Sequence, residues 1–309
     1  MQLQKVILIV LFVLLSTGCN EISSSASPDI LSSPTISPEQ EMEVSPVSTL
    51  PSIPEASLTP SQLPVELMMS PEDWKSWPVQ PLLTRRVAEI YQLGQELGND
   101  PHAFSVFGDC QSKPGIFLGI FETDPSAVSQ LSGDLKETVA NFVGSFNRES
   151  PTIRDAMTAG GLLNPEWHGG YFDCQTDETP VECELRIHRP SFVFINVGTH
   201  WVTRNQQYLQ TIIQQLIDHG VVPILATKAD DRYQGEKTNQ ALAILAVEFD
   251  VPLWNFWAEA LTLPDHGVYT MIGQGGLGDV YLTEQALALY RLSALQALDK
   301  VWRAAIAGD

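Results

Sequence analysis

The chain has 309 residues, with 17 Lys and Arg against 37 Asp and Glu, a formal charge of −20. Such a field repels phosphate backbones and anionic lipid headgroups, which excludes nucleic-acid binding and electrostatic membrane docking as main roles. Four cysteines are too few for a disulfide scaffold.

Residues 1–18 read as a targeting segment. Lys5 carries the one early positive charge, and Val6 to Leu15 is an unbroken apolar run. That run is too short to span a bilayer but suits a signal peptide. Ser16-Thr17-Gly18-Cys19 follows and resembles a bacterial lipobox, with Leu15 one place further from the cysteine than usual. The resemblance implies an acylated Cys19 that holds the protein in a lipid bilayer, with the rest of the chain outside the cytoplasm. The alternative is an ordinary signal peptide with Cys19 incidental. Residues 19–64 follow as a tether: positions 20–64 hold twelve Ser and eight Pro and lack Lys, Arg and aromatic residues. Such a segment buries too little apolar surface to offset its ordering entropy. The signal and tether together take Lys5 and six carboxylates, so residues 65–309 carry 16 basic against 31 acidic side chains, or −15.

Within 65–309, helical spacing runs over Leu82–Leu97, stopped by Gly98-Asn99, and a short strand over Phe104–Phe107 ends at Gly108-Asp109. A helix is predicted over Leu135–Phe146, a strand over Ser191–Val197 and an amphipathic helix over Gln206–His219. A strand over Val221–Ala226, a helix over Thr238–Phe249, a strand over Val251–Asn255 and a long helix over Thr283–Ile306 complete the pattern. Continuous apolar strands alternating with helices indicate a parallel sheet covered on both faces. Ligands of such sheets bind beyond the strand carboxyl ends. Here those ends carry Gly108-Asp109-Cys110, Gly198-Thr199-His200, Thr227-Lys228-Ala229-Asp230 and Phe256-Trp257. Gly273 to Gly278 follows no strong strand and reads as loop.

These blocks resemble the SGNH (GDSL) hydrolases, esterases, lipases and carbohydrate deacetylases built as a three-layer α/β/α sandwich with a central parallel sheet in flavodoxin-like order. The family's Gly-Asp-Ser appears here as Gly108-Asp109-Cys110, so Cys110 stands at the nucleophile. Its Gly-x-Asn-Asp appears as Gly198-Thr199-His200-Trp201. Asn239 fits a weaker signature at the helix before the last strand. The final Asp-x-x-His-Leu-Thr aligns with Gly278-Asp279-Val280-Tyr281-Leu282-Thr283, so Tyr281 stands at the base and Gly278 at its aspartate. The family's second-block glycine, an oxyanion donor, is matched by Gly160 or Gly161.

A cysteine can replace a serine nucleophile, but a phenol is a poor proton acceptor at neutral pH. His200 is a candidate substitute, either as oxyanion donor or as base for Cys110, and otherwise caps a strand end. His266, with Asp265 beside it, is a second candidate base or else a loop residue. Asp109 is suited to shaping its turn by accepting from nearby amides. Lys228 either contacts ligand or sits in a solvated loop. Trp167, Trp201, Trp254 and Trp257 are either an aromatic rim for sugar rings or core residues. With Cys19 acylated, three cysteines remain. Cys174 and Cys183 flank a short polar stretch and form the natural disulfide of an exported protein, leaving Cys110 free; the alternative bridges Cys110 to one of them. No His and Cys spacing points to a metal, and no motif to a cofactor. Three functions follow. One is a lipid-anchored hydrolase of small esters or carbohydrate esters, weakened by its substitutions. Another is a non-catalytic protein of the cell envelope that binds a glycan or other small ligand. The third is a cell-envelope interaction module on the same scaffold.

Overall fold

In the computed structural model of the protein, the described residues are 69–197, 205–229, 237–271 and 279–308. The chain divides into two units, Met1–Leu63 and Pro64–Asp309, and every described residue belongs to the second. The signal segment, Cys19 and the whole tether lie outside the described residues, as do Gly198, Thr199, His200, Trp201, Asp230 and the glycines from Gly273 to Gly278.

Among the described residues, four strands form the central sheet: β1 (Asp100–Gly108), β2 (Pro190–Asn196), β3 (Val222–Ala226) and β4 (Leu253–Trp254), in the order β1-β2-β3-β4. All three pairings are parallel. Beyond β1, a flavodoxin-like order has one further strand. Among the described residues that place holds one parallel bridge, between Gly108 and Ile153, closed by Gly108 N–H to Thr152 O and Arg154 N–H to Gly108 O. The strands read as apolar runs because both sheet faces are covered. Phe192 stacks on Tyr91 and meets Phe142 edge-on, and Phe194 meets Phe117 and Trp254. The intervening Val193 and Ile195, equally buried, point to the opposite face.

The helix Glu284–Ile306 packs against Arg86–Leu97 and Gly133–Asn141, while Asn205–Asp218 packs against Lys237–Phe249. Sheet and helices therefore make three layers. Arg86–Leu97 ends on Gly98 in the left-handed region, as the Gly-Asn stop signal implies. Thr283 caps the last helix by accepting from the Ala286 N–H. A two-stranded antiparallel hairpin, β5 (Val268–Met271) with β6 (Asp279–Leu282), stands apart from the sheet. Among the described residues, no helix is long and apolar enough to cross a membrane.

Candidate functional site

At the carboxyl end of β1 the chain turns sharply through a one-turn helix, Cys110–Ser112. The buried Asp109 caps it, its Oδ1 accepting from the Gln111 N–H at 3.0 Å. Gly108 is required by close approach: a Cβ there would lie 2.0 Å from Ser112 Oγ and 2.6 Å from Asn196 O. β1 thus delivers Asp109 and Cys110 to the edge where the sequence puts the chemistry.

The centre of that edge is filled by Lys228, which follows β3. Its Nζ donates to Asn196 O at 2.8 Å and to Asn196 Oδ1 at 2.9 Å, and lies 3.7 Å from Asp109 Oδ2. Its side chain is only 12% exposed. Asn239 fixes the backbone beneath it, accepting from the Lys228 N–H at 2.8 Å and donating to the Lys228 carbonyl at 2.9 Å. The Asn196 amide in turn donates to Ser112 Oγ at 2.9 Å and to the Tyr290 hydroxyl. Tyr290 reaches the spot because its ring is set among Phe117, Trp254 and Phe256. Asp109, Ser112, Asn196, Lys228 and Tyr290 therefore form one buried network that balances a carboxylate against an ammonium.

The protonation behaviour follows from this geometry. Burial pulls Lys228 below the usual lysine range, opposed by the Asp109 carboxylate. Tyr290 is pushed up, first by burial and then by Asp109. The Cys110 thiol is half-buried and also pushed up: burial acts most, then Asp109, with Lys228 pulling the other way. That is the reverse of a reactive cysteine, whose surroundings favour the thiolate. Among the described residues, the charges acting on Cys110 are those of Asp109, Lys228 and Asp155, and the histidines are engaged elsewhere or exposed. His102 pairs with Asn141, His168 accepts from the Gly170 N–H, His188 meets Phe104 O, and His219 meets Gln215 O. His266 is exposed on the turn Pro264–Gly267, at φ 55°. Tyr281 lies in β6 with its ring stacked on Tyr269 at 5.7 Å. His200 and Gly198 fall outside the described residues.

Gly160 and Gly161 lie in the short helix Ala159–Leu162. The Gly161 N–H is taken by Thr158 Oγ1 at 3.0 Å, and a Cβ on Gly161 would meet the Trp167 ring at 2.9 Å. This glycine is needed for packing, and its amide is already committed. Gly160 faces Tyr208, 3.1 Å from where its Cβ would stand. Of the tryptophans considered for an aromatic rim, Trp254 and Trp257 are core residues, with Trp254 Nε1–H donating to Ser293 Oγ, and Trp167 is half-buried. Cys174 and Cys183 are joined by a disulfide, and Cys110 is a free thiol. Among the described residues, no cluster of His, Cys, Asp and Glu has metal-binding geometry.

Sequence reasoning singled out Cys110, Asp109, Lys228 and Asn239 but missed Ser112, Asn196 and Tyr290. Asn196 carried a signal: it is the one polar residue in the run Phe192-Val-Phe-Ile-Asn-Val197, and a buried amide in a strand needs partners. Tyr290 and Ser112 gave none, because only the fold brings them to Asn196.

No family model matches the chain, and no curated protein matches it. Among solved structures, the chain is similar to the psychrotrophic esterase EstA from Pseudoalteromonas sp., at 13% identity and a TM-score of 0.39, over 64% of this chain and 97% of that one. It is also similar to a GDSL-like lipase from Bacteroides thetaiotaomicron VPI-5482, at 14% identity and a TM-score of 0.35, over 69% of this chain and 98% of that one.

Proposed function

We propose that residues 65–309 are a hydrolase-like domain that binds a small neutral ligand at the carboxyl end of its sheet without turning it over. The acylated Cys19 and the tether would hold this domain outside the cytoplasm. One observation carries the reading: Lys228, whose charge acts on Cys110 at the nucleophile position, is already committed to Asn196 and Asp109, while burial and Asp109 push the Cys110 thiol up. Nucleophilic hydrolysis needs a base that takes the proton and a group that orients the base. Loss of a triad base costs on the order of 10⁴–10⁶ in turnover. The paired charges of Asp109 and Lys228 leave a polar but neutral edge, which suits an uncharged ligand with hydroxyl or carbonyl groups.

The test is hydrolysis of p-nitrophenyl acetate by wild type and Cys110→Ala. Equal rates at background are expected; turnover that disappears with Cys110 would overturn the reading. A second reading draws on the depressed Lys228, whose charge acts on Cys110: a slow esterase in which the lysine takes the thiol proton. It requires loss of activity in both Cys110→Ala and Lys228→Met. The anchoring is tested separately by the mass of the mature N-terminus, which should include acyl chains on Cys19; a mature protein lacking them would remove that part.

A further inference from the structure

The stretch between the turn Pro165–His168 and the helix Pro180–His188 is exposed yet rigidly held. Gly169 and Gly170 take φ of 67° and 73°, and the non-glycine residues Phe172 and Asp173 take 66° and 58°. Side-chain-bearing residues hold that conformation only where surrounding contacts impose it. Those contacts are present. The Cys174–Cys183 disulfide closes the loop, Arg186 Nη2 donates to Asp173 O at 2.9 Å, and Arg186 also pairs with Glu178. Thr179 and Glu182 form a reciprocal cap at the following helix. Out of this frame project two aromatic rings, Tyr171 at 72% exposure and Phe172 at 38%.

Those rings stand near Arg154, whose backbone is tied to the end of β1. The Arg154 N–H donates to Gly108 O, one residue before Asp109. The Arg154 guanidinium lies 5.6 Å from the Trp167 ring centroid and donates to Trp167 O at 3.1 Å. Tyr171 stands near the same guanidinium: a Cβ on Gly169 would lie 3.3 Å from Tyr171 Cδ2 and 3.9 Å from Arg154 Nη1. Trp167, Arg154 and Tyr171 thus form one cluster around Gly169, with Phe172 next in the chain. The conformational strain keeps large apolar rings in water, which selects for something that covers them.

We infer that this cluster is a binding platform for a neutral oligosaccharide. A sugar ring has an apolar C–H face that lies flat on an aromatic ring and hydroxyl edges that bond to Arg154 and to the polar rim, Glu166 and Asp173. The charge of −20 disfavours acidic polymers. A few rings are also too small for a stable protein partner, which needs about 800 Å² on each side. The inference deepens the ligand-binding reading above and rests on it, because it supplies the ligand class and the surface that extends beyond Cys110.

The experiment is titration calorimetry of the folded domain with soluble β-linked oligomers of glucose and of N-acetylglucosamine, with oligogalacturonate as the acidic control. Binding of a neutral oligomer is expected, weakened about tenfold by Tyr171→Ala, the size of one good aromatic contact. Leu82→Ala, an exposed residue ahead of the first long helix, should bind as wild type does. Unchanged thermal unfolding of Tyr171→Ala shows that the loop is intact; if that variant is unstable, Tyr171→Ser and quenching of Trp167 fluorescence by the oligomer take its place. No binding by either neutral oligomer, equal binding of the acidic one, or wild-type affinity in the Tyr171 variants would overturn the platform. Cys110-dependent ester turnover with the Tyr171 effect intact would instead overturn only the non-catalytic reading.

Discussion

Replacing Lys228 by Met tests whether the edge of the sheet is a structural network. The substitution keeps the length of the side chain and removes the ammonium. Asn196 O and Oδ1 lose donors at 2.8 and 2.9 Å, and Asp109, 4% exposed, loses its counter-charge at 3.7 Å. Breaking a buried pair by deleting one partner costs about 3–5 kcal/mol, because the other charge is left uncompensated. Asp109 keeps the Gln111 N–H, which places the expected loss near the lower limit, about 3 kcal/mol. For a domain of this size that corresponds to a drop in Tm of roughly 6–12 °C. Urea unfolding of wild type, Lys228→Met, Asp109→Asn and the double variant measures both the loss and the coupling. The double variant should cost at least about 1.5 kcal/mol less than the sum of the single ones, as expected for residues in one network. A loss under about 1 kcal/mol for Lys228→Met, with no coupling, is what an exposed pair gives and would refute the argument.

Tyr290→Phe removes one acceptor of the Asn196 amide while Ser112 Oγ remains, so it should cost about 1 kcal/mol in the same assay. Alkylation of Cys110 by iodoacetamide should reach half its limiting rate at a pH above that of an unperturbed thiol. Asp109→Asn should lower that midpoint and Lys228→Met raise it, since the carboxylate pushes the thiol up and the ammonium pulls it down. His188 is held below its ordinary value, mainly by burial and next by Arg148. As pH falls below about 6.5 the unfolded chain therefore takes up its proton before the fold does, and stability declines until the folded His188 titrates too. His188→Gln should flatten that part of the stability profile measured by urea unfolding. Replacing Cys174 and Cys183 together by Ser opens a loop with a sequence separation of 9 and should lower stability by a little under about 3 kcal/mol.

The layered fold was legible because its signals are local. The runs over 191–197 and 221–226 are too apolar for anything but a sheet buried on both faces, and the helices between them show helical spacing. The predicted helix over Leu135–Phe146 ends at Asn141 in the structure, with Gly144 at φ 95° just beyond it. The predicted strand over Val251–Asn255 shrinks to Leu253–Trp254, because Pro252 has no N–H to add to a ladder. The hairpin of β5 and β6 was not anticipated, since its strands flank a glycine-rich stretch and their pairing is not local. At the site, Asp109 was legible as a turn-shaper because an aspartate after glycine at a strand end favours accepting neighbouring amides. The burial of Lys228 was not legible. A lysine after a strand reads as solvated, and only the third dimension brings Asn196 and Asp109 to it. The same holds for Glu184, fully buried between Arg148 and Ser105 Oγ, whose helix sequence looks like an ordinary charged face.

Whether Cys110 accepts an acyl group tests the central claim most directly. Wild-type protein incubated with excess p-nitrophenyl acetate, quenched in acid and weighed intact by mass spectrometry should show no acetyl adduct at Cys110 at neutral pH beyond that of the chemically unfolded chain, whose exposed thiol reacts at its intrinsic rate. An adduct on Cys110 that forms faster in the folded protein than in the unfolded one, and is then lost with turnover, would contradict the account.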